Sequence, residues 1–302
     1  MLDRLMAYGK RDKGFDTALI TIVVLAVTIV FIAQSGTLED VPESEQVVSS
    51  EVVSQEALLL FRLACMLVVI VTLLGLVLDP VPVTDYPLGF ELRKEVPREA
   101  KGIVRMVAFT QWHFALIGCS FAVASAASII HLSGQQVPDW ILIVSPILFS
   151  TGYSCAFLVS SVITFHIIDD MLSKGQNVGH LFSWYELVMH NANVAMMGMA
   201  LLLNNFELEW SYFGFPIVFG IVYVAWAAIF ANFIGGIFIY DFIDYRRSGA
   251  PMIYSLLLGI LVAFFFLVLV LDRVAEWDRR VAGLVVVVLT WAVSRTSMPD
   301  QG

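Results

Sequence analysis

Seven stretches of this chain, residues 17–34, 57–78, 103–130, 140–165, 182–203, 213–240 and 252–271, are nearly unbroken runs of apolar side chains. About 20 such residues in a helix span the hydrocarbon core of a bilayer, so each run reads as a crossing. An eighth run, 281–294, has only about 14 apolar residues where roughly 20 are usual, and is expected to make a short crossing. Only 14% of the residues are charged, against roughly 25% in a soluble domain. The fold class implied is all-α: a polytopic transmembrane helical bundle.

Through the first six gaps, basic residues fall only in alternate ones. Arg4, Lys10, Arg11 and Lys13 precede the first run, Arg93, Lys94, Arg98, Lys101 and Arg105 follow the second, Lys174 follows the fourth, and Arg246 and Arg247 follow the sixth. The first, third and fifth gaps hold none. The positive-inside rule then places the N-terminus and the even-numbered loops in the cytoplasm, with Arg273, Arg279 and Arg280 counting against. The first run exceeds the 7–15 apolar residues of a cleaved signal and is expected to stay as a signal anchor. Behind it, residues 35–56 carry Glu39, Asp40, Glu43, Glu45, Glu51 and Glu56 without a Lys or Arg. They are expected to form an exposed lumenal loop with no clear fold. No basic patch points to nucleic acid. Cys65, Cys119 and Cys155 fall inside apolar runs, where packing is the expected role.

Polar side chains inside the bilayer are costly, and two runs carry most of them. The third contains AFTQWHF (108–114) and the fifth WYELVMHNANVAMM (184–197). Glu186, His190, Asn193 and Met197 are spaced to share one helical face, and Thr110 and His113 to share another. Counted from the ends of their runs, Thr110 and His190 lie at matching depths of roughly 10–12 Å. A carboxylate one turn from a histidine orients the ring, and a histidine beside a hydroxyl takes its proton. Thr110, His190 and Glu186 therefore make a sensible acyl-transfer set, with Gln111, Asn193 and His113 as candidate substrate or oxyanion contacts. The same side chains also serve as hydrogen-bond glue between helices, and the small residues of SFAVASAAS (120–128) imply close packing there. Arg62 is expected to snorkel or to pair with a carboxylate such as Glu56. His131, His166 and His180 are expected as interfacial histidines, and Met189, Met196, Met197 and Met199 as packing. Asp241 and Asp244, interleaved with tyrosines in GGIFIYDFIDY (235–245), have no evident role.

Four motifs in order, FTQWHF, ELVMHNANVAMM, FPIVFGIVYVAW (215–226) and GGIFIYDFIDY, resemble the landmarks of rolling stone proteins, a group joined to the androgen-induced and androgen-dependent membrane proteins. The resemblance covers about residues 57–271. It implies a six-helix membrane core over 57–271, preceded by an anchor helix and acidic loop (1–56) and followed by a short hydrophobic segment and tail (272–302). For the androgen-induced branch it implies intramembrane hydrolysis of fatty acid esters of hydroxy fatty acids, with a threonine nucleophile and a histidine that map onto Thr110 and His190. The chain departs from that branch in its extra segments, in Asn191 and Asn193 beside the histidine, and in Asp241 where a proline is usual.

Three readings fit these features. One is a lipid-ester hydrolase with membrane lipid as substrate and no cofactor. Another is a non-catalytic protein of adhesion, fusion or scaffolding, like the rolling stone branch, with the acidic loop as contact surface. The third is a haem protein ligated by His113 and His190. In each case the chain is an integral membrane protein, of the endoplasmic reticulum or the plasma membrane.

Overall fold

The computed structural model describes residues 5–297, so Arg4 and the last five residues lie outside it. Among the described residues seven helices are long and apolar enough to cross a membrane: α1 Gly14–Gln34, α2 Gln55–Leu78, α3 Phe109–Leu132, α4 Asp139–Ser173, α5 Trp184–Leu203, α6 Trp210–Ile234 and α7 Ala250–Trp277. The protein is an all-α multi-pass membrane bundle. An eighth helix, α8 Arg279–Val293, has 15 residues and rises about 22 Å, short of the roughly 30 Å hydrocarbon core. Asp278 caps its first amides, and beyond its end the Arg295 amide donates to Asn191 (2.8 Å) and its guanidinium to Asp169 (3.0 Å).

Helix α4 is the buried centre of the bundle. Several of its serines cost little because their hydroxyls bond back to their own helix, Ser145 to the Ile141 carbonyl (2.7 Å) and Ser154 to that of Ser150 (2.6 Å). Ser120, Ala124, Ser125, Ala127 and Ser128 of α3 are buried, and these small side chains let α3 lie close against α2 and α4. The outer faces expose large apolar residues such as Phe15, Ile22, Leu60 and Leu67. In a bilayer these would face lipid rather than water.

Two run boundaries differ from expectation, both at the end of the bundle that carries the N-terminus. Residues 102–107 form a 3-10 turn, so α3 begins at Phe109 and Thr110 is its second residue. The depth counted from residue 103 therefore does not apply. Helix α6 stops at Ile234, not at 240. Gly236 takes a φ of +66°, and a Cβ on Gly235 would collide with the Phe230 ring. The freed chain pairs instead. Strand β1 Val83–Asp85 runs antiparallel to β3 Arg98–Ala100, and β2 Leu88–Gly89 to β4 Ile237–Phe238. Together they cap this end of the bundle.

The N-terminal residues strap that cap down. Tyr8 donates to Asp244 (2.6 Å), which also takes two bonds from the Arg246 guanidinium (2.9 and 2.8 Å) and one from its amide (3.0 Å), while Arg247 reaches the Met6 carbonyl. Burial and the Asp244 bond push the Tyr8 hydroxyl up to about 12, so it remains a donor. Burial pushes the Asp244 carboxyl up too, but its bonds from Arg246 and Tyr8 prevail and hold it below its usual value. Asp241 pairs with Arg247 at 3.3 Å. Both aspartates of the GGIFIYDFIDY stretch thus anchor the cap.

At the opposite end the acidic loop is folded. Ser44–Val48 forms a helical turn with a Glu43–Gln46 capping box, and Val47 and Val48 are fully buried. Arg62 neither snorkels nor meets a carboxylate. It is 1% exposed and donates to the Val47 carbonyl (2.7 Å), Asn204 Oδ1 (2.5 Å), the Ala124 carbonyl (3.0 Å) and Ser128 Oγ (2.7 Å). The loop supplies one of the four acceptors that hold the guanidinium inside. Arg273 and Arg279, which counted against the orientation, bond the carbonyls of Leu208 and Leu202.

Candidate functional site

Below the cap, between the ends of α3, α4 and α5, lies a cavity of about 190 Å³ lined by Thr110, Gln111, Glu186 and His190. Four of the six residues singled out in the sequence thus share one space. His190 is 3% exposed and its Nε2 lies 3.4 Å from Glu186 Oε2, the contact that the i, i+4 spacing foretold. Its Nδ1 is buried and has no hydrogen-bond partner among the described residues. With the carboxylate at Nε2, the tautomer protonated there is favoured and Nδ1 is left as a proton acceptor. The Thr110 hydroxyl is directed to Tyr240, 3.4 Å away, and not to His190.

Asn193 and His113 are not part of this cavity. Their side chains meet each other, Asn193 Nδ2 to His113 Nε2 at 3.1 Å, and Asn193 Oδ1 accepts from Ser160 at 3.1 Å. The reason is local. Val188–Ala192, which contains His190, is a π-turn, and its extra residue per turn rotates the next stretch of helix, from Asn193 onward, away from the Glu186–His190 face. Residues spaced to share a face in a regular helix therefore part company here. The haem pair is not supported by the same geometry, because Asn193 occupies His113 Nε2 and His113 is not among the residues lining the space that His190 lines. Among the described residues, no group of three or more His, Cys, Asp and Glu is arranged to hold a metal.

A second space, an apolar slot of about 90 Å³ between α4, α6 and α7, adjoins the cavity. Gly220, Tyr223, Leu258 and Leu261 are among its walls. Thr110 and Tyr240 line both spaces. Thr110 thus stands on the wall between the polar chamber and the apolar slot, its hydroxyl toward Tyr240.

Several cavity residues escaped the sequence reading. His166 and His180, expected at the interface, line the chamber, and burial lowers the proton affinity of His180. Arg105 lines it as well, donating to the Tyr185 hydroxyl (2.9 Å), which in turn donates to Asp79 (2.8 Å). At the mouth, Lys174 joins Glu95 and Asp170, each at 2.6 Å, and Gln176 donates to Glu95 at 2.8 Å. Burial alone would lower the Lys174 pKa, but the two carboxylates raise it above its usual value. The one signal near Tyr240 was the Gly235–Gly236 pair, a helix breaker that the apolar residues continuing past it masked. No family model matches this chain, and neither a curated protein nor a solved structure matches it.

Proposed function

We propose that this membrane protein is an intramembrane hydrolase of lipid esters, with Thr110 as nucleophile, His190 as base and Glu186 as the group that orients the histidine, facing the cytoplasm at its capped end. The observation that carries the reading is the position of Thr110 on the wall common to a polar chamber and an apolar slot. An amphiphilic ester placed there would have its carbonyl at the hydroxyl, its chain in the slot and its polar part in the chamber. The resemblance to the androgen-induced proteins points to the same threonine and histidine, and hence to fatty acid esters of hydroxy fatty acids.

In the proposed reaction His190 Nδ1 takes the Thr110 proton as Oγ1 bonds the ester carbon. The C–O bond to the alcohol then breaks, and the departing oxygen takes that proton from His190. Water entering from the chamber gives a proton to His190 and attacks the acyl-threonine. The threonine oxygen leaves and recovers the proton, freeing the acid. The Thr110–His190 bond that this needs is not made in the resting structure, as is common for catalytic hydrogen bonds without substrate.

The Thr110–Tyr240 bond favours a second reading, in which Thr110 joins α3 to the cap and the protein is a non-catalytic scaffold or adhesion protein. Labelling by a lipid-like fluorophosphonate separates the two. Hydrolase chemistry requires labelling of wild type that disappears in Thr110→Ala and in His190→Ala at normal expression. Equal labelling of wild type and Thr110→Ala, or none of well-folded wild type, would leave the scaffold reading.

A further inference from the structure

We propose that Tyr223 and Tyr240, with the backbone amides at the start of α3, form the oxyanion site of the hydrolase reading above, on which this inference rests. Thr110 is the second residue of α3, and Ala108, which precedes the helix, offers no side-chain cap to its first amides. An uncapped helix start favours negative charge. Two phenols stand beside it. The Tyr240 hydroxyl is 3.4 Å from Thr110 Oγ1, so an acyl carbon bonded to that oxygen would place its own oxyanion within reach of the phenol. Tyr223 packs edge-on to Phe109, the residue before Thr110, with ring centroids 4.9 Å apart. It is 3% exposed, the Phe109 amide is directed at its oxygen, and its O–H has no acceptor among the described residues.

A buried O–H without an acceptor costs stability, and Tyr223 lines the same slot as Thr110. The negative oxygen of a tetrahedral intermediate would satisfy it. Gln111, Asn193 and His113 were the donors legible in the sequence. Asn193 and His113 are committed to each other, and Gln111 lines only the polar chamber. The Tyr240 hydroxyl lies 3.4 Å from the reacting oxygen, and Tyr223 shares the apolar slot with it.

The test compares purified wild type, Tyr223→Phe, Tyr240→Phe and Thr110→Ala for fluorophosphonate labelling rate and for kcat and KM on p-nitrophenyl acyl esters. Each phenylalanine variant keeps the ring and removes one donor. A loss of roughly 100- to 1,000-fold in kcat at nearly unchanged KM is expected for each, with slower labelling. Tyr223→Phe should also melt close to wild type, because the O–H it deletes is buried without an acceptor. A merely structural tyrosine would not combine intact stability with lost turnover. Wild-type kcat in both variants overturns the oxyanion site and leaves the hydrolase reading standing. A wild type that neither labels nor turns over overturns both.

Discussion

Arg62→Ala should destabilise the fold, by an amount set by its four bonds. Removing the guanidinium strands the Val47 carbonyl and Asn204 Oδ1, which it contacts at 2.7 and 2.5 Å. A buried acceptor left without a donor costs about 1–3 kcal/mol. The Ala124 carbonyl is spared, because Ser128 Oγ also donates to it at 3.2 Å. Truncating so large a buried side chain adds a cavity, whereas releasing a buried cation that has no carboxylate partner gives some stability back. The net is a loss of roughly 3 kcal/mol, or about 6–12 °C in melting temperature at roughly 2–4 °C per kcal/mol. Thermal unfolding in detergent can be followed with a thiol-reactive dye, since Cys65 and Cys155 are buried and Cys119 supplies the exposed baseline. Asn204→Ala should be partly redundant with Arg62→Ala, because the two share a bond. An Arg62→Ala protein that melts within a degree or two of wild type, or strict additivity of the pair, would refute the reasoning.

Asn193→Ala removes the bond to His113 and the acceptor of Ser160. It should cost about 1–3 kcal/mol of stability while fluorophosphonate labelling of Thr110 persists, and loss of labelling in a stable variant would return Asn193 to the site. Gly220→Val should fill the slot, since a Cβ there already meets Leu258 at 3.2 Å, and should shift ester preference toward shorter acyl chains. A chain-length profile unchanged from wild type would place the acyl chain elsewhere. The strap over the cap should be sensitive to acid. Asp244 has a folded pKa below its unfolded one, so its contribution is full above the unfolded value of about 4 and is lost as pH falls through the folded value. Protease cleavage within residues 5–13 should therefore rise between pH 7 and pH 3 in wild type, whereas Asp244→Asn should already be cleaved at pH 7.

The sequence by itself determined the features that depend on neighbours along the chain. Seven apolar runs are membrane-crossing helices because a backbone in lipid must satisfy its own hydrogen bonds. Glu186 and His190 meet because i and i+4 are adjacent on any helix. The boundaries at Phe109 and Ile234 were less legible, since apolar residues continue past both and the turn at Gly235 and Gly236 must outweigh them. Tertiary structure decided the rest. A π-turn of ordinary composition swings Asn193 away from His190 and against His113. Arg62 stays inside the bundle only because Val47, Ala124, Ser128 and Asn204 come from three distant segments to receive it. Tyr240 reaches Thr110 from 130 residues away, through a strand that pairs with a loop between other helices. Such contacts depend on which helices pack together and at what register, and no local pattern of residues encodes that.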